Sequence, residues 1–310
     1  MAEVATLTMN PALDVATSTA TVLPTDKLRC AAPRFDPGGG GVNAARVVRL
    51  LGGEAVAVFP AGGPAGEMLV RLLGGLGLGC HAVPVAGATR ESFTVDEASS
   101  GRQFRFVLPG PELSTAEQEA CLASLAVLSP APGVLVVSGS LPPGVEPGFV
   151  GQVAKVARRL GARLVLDTSG AALRVAQGAF LVTPNLRELA EALGREIRDE
   201  AEELAGAREL VARGTAEVVL LSLGARGALL VASDVEQRFA PIPVTPRSAV
   251  GAGDSMVGAA ALALARGWPL REAARYGMAA GAATLMTPGT ELCRREDVER
   301  LFAETGGTQP

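Results

Sequence analysis

Short runs rich in Val and Leu alternate with helical patterns through most of the chain, and this alternation restricts its fold more than any other feature. Val4–Met9, Ala55–Phe59, Val134–Ser138, Arg163–Asp167, Phe180–Thr183, Val218–Ser222 and Ala228–Ala232 read as strands. Asn43–Leu51, Gly66–Leu76, Thr115–Leu128, Pro147–Leu160, Leu186–Leu193 and Ala201–Arg213 carry helical spacing between them. Near-continuous apolar strands separated by helices imply a mostly parallel sheet covered on both faces. A chain of 310 residues suits one large α/β unit. Apolar residues make up 48% and aromatics only 4%, so its core has to be built from Ala, Val and Leu.

Two segments break the rhythm. Ala12–Phe35 mixes patchy alternation with Thr, Pro and Arg. Glu91–Leu108 alternates apolar and polar residues around Ser99-Ser100-Gly101 and predicts an antiparallel hairpin with one wet face. Either they are an edge excursion of the main sheet, or they form a small accessory sheet that covers a cleft or meets a partner subunit.

Several function classes are disfavoured. The net charge of −4 gives no global basic surface for nucleic acid. Cys30, Cys80, Cys121 and Cys293 are scattered, with no paired metal-ligand spacing, which argues against zinc and for a reduced, cytoplasmic protein. The only histidine, His81, lies in the apolar segment Gly79–Val85 and reads as structural. No apolar run approaches the ~18 residues of a membrane helix, so no membrane partner is expected.

In open α/β sheets, ligands bind beyond the carboxyl ends of the strands. Gly38–Asn43, Ser138-Gly139-Ser140, Thr183-Pro184-Asn185, Ser222-Leu223-Gly224 and Gly251–Asp254 all fall where strands or turns should end. The last is the most telling. Gly251-Ala252-Gly253-Asp254 directly precedes the apolar run Met256–Ala265. A Gly-rich turn opening a helix offers N–H groups to an anion, and an Asp there can take a proton. The same residues also suit a simple capped helix. Gly39-x-Gly41-x-x-Ala44 formally matches a dinucleotide fingerprint. However, the preceding segment carries Pro33 and Pro37, and Ala55–Phe59 lacks the acidic residue that would hold a ribose.

Gly38-Gly39-x-Gly41-x-Asn43 and Gly251-Ala252-Gly253-Asp254-Ser255, about 210 residues apart, resemble the two signatures of the PfkB, or ribokinase-like, sugar kinases. Asn185-x-x-Glu188 and Ser222-Leu223-Gly224-x-x-Gly227 extend the resemblance over essentially the whole chain. It implies a three-layer ribokinase-like α/β fold in a single domain, 1–310. The mostly parallel central sheet would carry a small β-sheet lid from about 12–37 and 88–108. Within the family, Asn10-Pro11-Ala12-Leu13-Asp14, Phe104-Arg105-Phe106 and Gly38-Gly39-Gly40-Gly41 resemble the branch acting on fructose 6-phosphate. Sister branches act on fructose 1-phosphate or tagatose 6-phosphate and usually carry a lysine within the first Gly motif. A catalytically silent sugar-phosphate sensor is the alternative of a different class.

The resemblance also implies roles. Asp254 would be the base, with the N–H groups of Gly251, Ala252 and Gly253 stabilising the transferred phosphoryl group. Asp14, Gly38, Gly39, Asn43 and Ser138 would hold the sugar, and Lys27 and Arg90 its 6-phosphate. Without the family, Lys27 and Arg90 read as solvated surface cations. Thr183, Ser222, Gly224, Gly227, Met278 and Ala282 would line the ATP site; Thr183 stands where the likeness expects a lysine. Asn185 and Glu188 would organise Mg²⁺ through water, though as residues they also read as a helix cap and its first turn. Ser248, Val250, Thr284, Thr287, Gly289 and Glu291 would hold K⁺, mostly through carbonyls. The implied partners are a phosphosugar, ATP and a second copy of the chain, met through the lid strands.

Overall fold

In the computed structural model, which describes residues 2–306, thirteen strands and ten helices follow one another largely as the alternation predicts. The strands are β1 (Val4–Leu7), β2 (Ala12–Thr19), β3 (Arg34–Gly38), β4 (Ala55–Ala61), β5 (Gly79–Pro84), β6 (Arg90–Glu97), β7 (Gln103–Val107), β8 (Val134–Ser138), β9 (Arg163–Asp167), β10 (Ala179–Val182), β11 (Ala216–Ser222), β12 (Ala228–Ala232) and β13 (Glu236–Phe239). The helices are α1 (Gly40–Leu50), α2 (Gly63–Gly75), α3 (Thr115–Ala126), α4 (Phe149–Leu160), α5 (Gly170–Val175), α6 (Leu186–Leu193), α7 (Glu200–Ala212), α8 (Ala252–Ala265), α9 (Leu270–Leu285) and α10 (Arg295–Glu304).

Nine strands form one sheet in the order β13-β12-β11-β10-β9-β8-β1-β4-β5. From β11 to β5 every pairing is parallel; only the β11–β12 and β12–β13 pairings at one edge are antiparallel, so β12 alone runs against the rest. The strand period of two divides the side chains between two cores. Val4, Val134 and Val136 face α1, α2, α8, α9 and α10, whereas Ala5, Leu135 and Val137 face α3 to α7. This is a three-layer α/β fold. The chain leaves β1 toward β4 on one side and later toward β8 on the other. The order therefore reverses beside β1, where a crevice opens at the carboxyl edge.

A second sheet, β3-β2-β6-β7, stands apart from the first. Its β6–β7 hairpin turns at 98–102, as the alternation in Glu91–Leu108 predicts. β2 pairs parallel with β6 and antiparallel with β3, so the irregular segment after residue 12 is the middle of this sheet.

Some expectations need correction. The first helix begins at Gly40, three residues before the expected Asn43. The glycines there serve close packing: a Cβ on Gly40 would lie 2.1 Å from Ser138 Oγ, and one on Gly41 2.5 Å from Thr8 Oγ1. His81 is not a core residue but lies exposed on the edge strand β5. Helix α9 pairs closely with α8 through small residues rather than an apolar stripe. A Cβ on Gly277 would press to 2.7 Å from Met256 O, and one on Gly258 to 2.6 Å from Ala44 O on α1. Among the described residues, no helix is long and apolar enough to cross a membrane.

Candidate active site

The polar clusters converge at the carboxyl edge of the large sheet. Ser138 ends β8 and donates its hydroxyl to Asp167 Oδ2, at the end of β9, over 2.7 Å. Thr183, just past β10, donates to Asp167 Oδ1 over 3.0 Å. The next cluster is bound in turn: Asn185 bridges to Ser222, whose N–H donates to the Pro184 carbonyl.

Helix α8 starts beside this row. Its N-cap, Gly251, has φ 76°, a left-handed conformation that glycine reaches without strain, and no side chain caps the helix. The first N–H groups of a helix have no partner within it, and together with the dipole they attract negative charge. This first turn is a wall between two cavities. Gly251 and Asp254 line a cavity of about 170 Å³ closed on its far side by the small sheet. Ala252 and Gly253 line a groove of about 600 Å³.

Asp254 is enclosed by protein except where it meets the smaller cavity, and its pKa is pushed up to about 7. Burial is the main cause, and the negative charges of Asp167 and Asp14 add to it. A hydrogen bond from Asn43 and the charge of Arg105 oppose it. Asn43 Nδ2 donates to Asp254 Oδ2 at 2.8 Å. The structure thus places a carboxylate whose proton affinity is matched to neutral pH at the N-terminus of a helix.

The same cavity is lined by Asp14, Gly39, Gly40, Asn43, Arg90, Arg105, Val250 and Thr290. The Asp14 carboxylate occupies the space where a Cβ on Gly38 would be. Burial raises its pKa to about 6, against the pull of Arg90 and Arg46. Arg90 is held in place by carbonyls: Nε and Nη2 donate to Asn10 O at 3.3 and 3.1 Å, and Nη1 to Leu108 O at 3.2 Å. Lys27 is different. It is exposed on the loop between β2 and β3 and does not line the cavity. Arg105, on β7, is the second cation there. Ser138 lies beneath Gly40, buried, with its hydroxyl turned to Asp167 rather than to the cavity.

Ser222, Gly224, Gly227, Met278 and Ala282 all line the larger groove, beside Ile242, Val244 and Leu285. Its apolar walls with a few backbone polar groups suit a flat aromatic ring. Thr183 is buried against Asp167 and is not a lining residue.

Asn185 and Glu188 form a capping box at the start of α6. Asn185 Oδ1 accepts from the Glu188 N–H at 3.0 Å, and Glu188 Oε2 accepts from the Asn185 N–H at 2.9 Å. Burial raises the Glu188 pKa, and the charge of Asp167 adds to it.

Ser248 and Val250 lie in the loop before α8, Thr284 in the last turn of α9, and Thr287, Gly289 and Glu291 in the loop that follows it. The Ser248 hydroxyl donates to Gly289 O at 2.7 Å and accepts from the Val250 N–H at 3.2 Å. The Thr287 hydroxyl is 2.7 Å from Thr284 O and 2.5 Å from Glu291 O.

Asp167, Arg46, Arg105 and Thr290 were not foreseen from sequence as site residues. Asp167 gave the clearest signal, as a charge closing an otherwise apolar strand.

The family model described as pfkB family carbohydrate kinase matches residues 7–297. The ATP-dependent 6-phosphofructokinase isozyme 2 of Mycobacterium tuberculosis is 53% identical over 298 residues, covering 96% of this chain and 88% of that protein. Its Escherichia coli namesake is 43% identical, covering 98% and 99%. Phosphofructokinase-2 from E. coli has been solved in complex with potassium (TM-score 0.93, 42% identity) and with fructose-6-phosphate (TM-score 0.92, 41% identity). Each of these covers 99% of this chain and 100% of the solved one.

Proposed function

The chain belongs to the pfkB family of carbohydrate kinases, and on that premise we propose that it is an ATP-dependent 6-phosphofructokinase. It transfers the γ-phosphate of ATP to the 1-hydroxyl of fructose 6-phosphate. One observation carries this reading: the first turn of α8 is shared by the two cavities, with Asp254 on one side and Gly253 on the other. A sugar in the small cavity and a nucleotide in the groove therefore meet at a helix N-terminus that carries a base.

The chemistry follows from the residues. Asp254 accepts the proton of the 1-hydroxyl as that oxygen attacks phosphorus, a step in which a placed base supplies ~10²–10⁴-fold in rate. The N–H groups of Gly251, Ala252 and Gly253 stabilise the charge spread over the transferring group. Arg90 and Arg105 take the 6-phosphate, for which a planar fork is well shaped. Asp14, Gly38, Gly39 and Asn43 hold the sugar hydroxyls, and Ser222, Gly224, Gly227, Met278 and Ala282 hold the nucleotide.

Glu188, Asp167 and Asn185 gather hard oxygen atoms beside the groove. The carboxyl groups of Glu188 and Asp167 are both raised in pKa, each chiefly by burial, a setting that a divalent cation relieves. Asn185 and Glu188 would hold Mg²⁺ through its waters, and the ion would neutralise charge on the ATP phosphates. The segments at 248–250 and 284–291 also fit K⁺: their donors are oxygen only, and the Gly289 and Glu291 carbonyls keep a lone pair beyond their hydroxyl partners.

We read the small sheet as the lid. Its exposed Phe106, Val107 and Leu108 suit a homodimer contact through these strands. Four unpaired cysteines suit a cytoplasmic enzyme. A coupled ADP-release assay with fructose 6-phosphate, fructose 1-phosphate, tagatose 6-phosphate and fructose tests the reading. Fructose 6-phosphate should give the highest kcat/KM; a higher value for any other sugar reassigns the substrate, and no release with any of them removes the kinase reading.

A further inference from the structure

Arg46 lies on α1, three residues beyond Asn43, with its side chain largely buried, 12% exposed. Nη1 donates to the Pro37 carbonyl at 2.7 Å and to Asn43 Oδ1 at 3.0 Å, and Nη2 lies 3.9 Å from Asp36 Oδ1. A guanidinium carries donors only and keeps its charge. It therefore decides which way the Asn43 amide faces. The amide oxygen must turn to Arg46, and the amide nitrogen then turns to Asp254, whose Oδ2 accepts at 2.8 Å. The opposite orientation would set an NH₂ against a guanidinium and a carbonyl against a carboxylate.

We infer that Arg46 is a positioning residue, which locks the Asn43 amide as a donor and thereby fixes the orientation of Asp254. The inference rests on Asp254 being the base. It also gives Asn43 a restricted role toward the sugar: with its oxygen turned to Arg46, it presents N–H on the Asp254 side, so it selects an acceptor oxygen there.

The groups that face Asp254 set the sign of the expected pH effect. Asp167 on β9 and Asp14 on β2 raise its proton affinity; Arg105 on β7, Arg46 on α1 and the Asn43 hydrogen bond lower it. Without Arg46 the amide is free to rotate and the donor is lost for part of the time. A donor that favours the ionised form then disappears, so the acid limb of activity moves to higher pH.

The test is a double-mutant cycle with pH profiles. Arg46→Met should lower kcat about 10- to 100-fold at pH 7. Its acid limb should rise by about one pH unit, so that part of the loss is recovered at higher pH. Adding Asn43→Ala to Arg46→Met should lower kcat much less than Asn43→Ala lowers it alone, because both act through one amide. Multiplicative losses, or an unmoved acid limb in a variant that melts like wild type, would overturn the role of Arg46. Arg46→Lys keeps the charge and one donor; it carries the same test if the Met variant fails to fold, with a smaller shift in the same direction. If Asp254→Asn turns over normally, it is the catalytic reading that falls. An inactive Asp254→Asn beside an unmoved Arg46 profile removes the inference alone.

Discussion

Thr290 donates its hydroxyl to Asp36 Oδ2 at 2.5 Å, across 254 positions of chain, and so fastens the loop after α9 to β3 of the small sheet. Arg34 closes the same joint, with Nη2 on Thr290 Oγ1 and Nε on Asp36 Oδ2, each at 2.8 Å. The neighbouring Gly289 carbonyl is held by Ser248. The loops proposed to hold K⁺ are thereby joined to the sheet over the sugar.

Thr290→Val keeps the shape of the side chain and removes this joint. The two hydrogen bonds lost contribute about 0.5–1.5 kcal/mol each, so the KM for fructose 6-phosphate should rise about 5- to 100-fold while the KM for ATP stays put. Steady-state kinetics with each substrate varied in turn would show it; an equal rise in both would mean the joint serves general stability.

Asp254→Asn should reduce kcat by at least two to four orders of magnitude while ATP still binds, as seen by calorimetry. In the wild type, kcat/KM should fall about tenfold per unit below pH 7, where Asp254 becomes protonated. Stability should move the other way. The folded state holds the Asp254 proton more tightly than the unfolded chain, so the contribution of Asp254 to stability is complete below about pH 4 and is lost as pH rises through 7. The Asn variant has no such decline. Above pH 7 it should be more stable by on the order of 2–4 kcal/mol, a gain that vanishes near pH 4 in urea titrations.

Arg90→Ala removes a fork held by Asn10 and Leu108 carbonyls at the mouth of the lid. The KM for fructose 6-phosphate should rise about 10- to 100-fold, and the kcat/KM for unphosphorylated fructose should hardly change. A matching loss with fructose would show that Arg90 holds the lid rather than the phosphate.

Gly227 stands at φ 87°, and a Cβ there would lie 2.0 Å from Phe239 O. Gly227→Ala should lower Tm by several degrees and raise the KM for ATP, since the turn from Gly224 walls the nucleotide groove. An ATP KM equal to wild type would separate that turn from nucleotide binding.

The interior strands were legible because burial on both faces makes them continuous apolar runs. β5 and β13 lie at the edges, where the exposed His81 and the half-buried Gln237 blur that signal. Helix α9 packs through Ala and Gly, which leave no stripe of large side chains to read. In the site, the Gly251–Asp254 turn announces itself locally, as glycines and an acid at a helix start, whereas Asp14, Asn43 and Arg90 are marked only by the resemblance to the family. Arg46 and Thr290 do not. Their meaning lies in contacts with Asn43 and Asp36 made only once the chain has folded. Lys27 shows the reverse: a cation marked by motif, which this chain leaves on an exposed loop.

Helix α8 is buried without a break from Ser255 to Leu264, clasped between α1 and α9 at the contacts of Gly258 and Gly277. Amide protons along it should exchange with deuterium only through global unfolding, while those of the β6–β7 hairpin exchange through local opening. The turnover cycle thus has a fixed frame of reference. On that pattern Asp254 and its helix would stay with the sheet, and travel to admit sugar and expel water would fall to the hairpin.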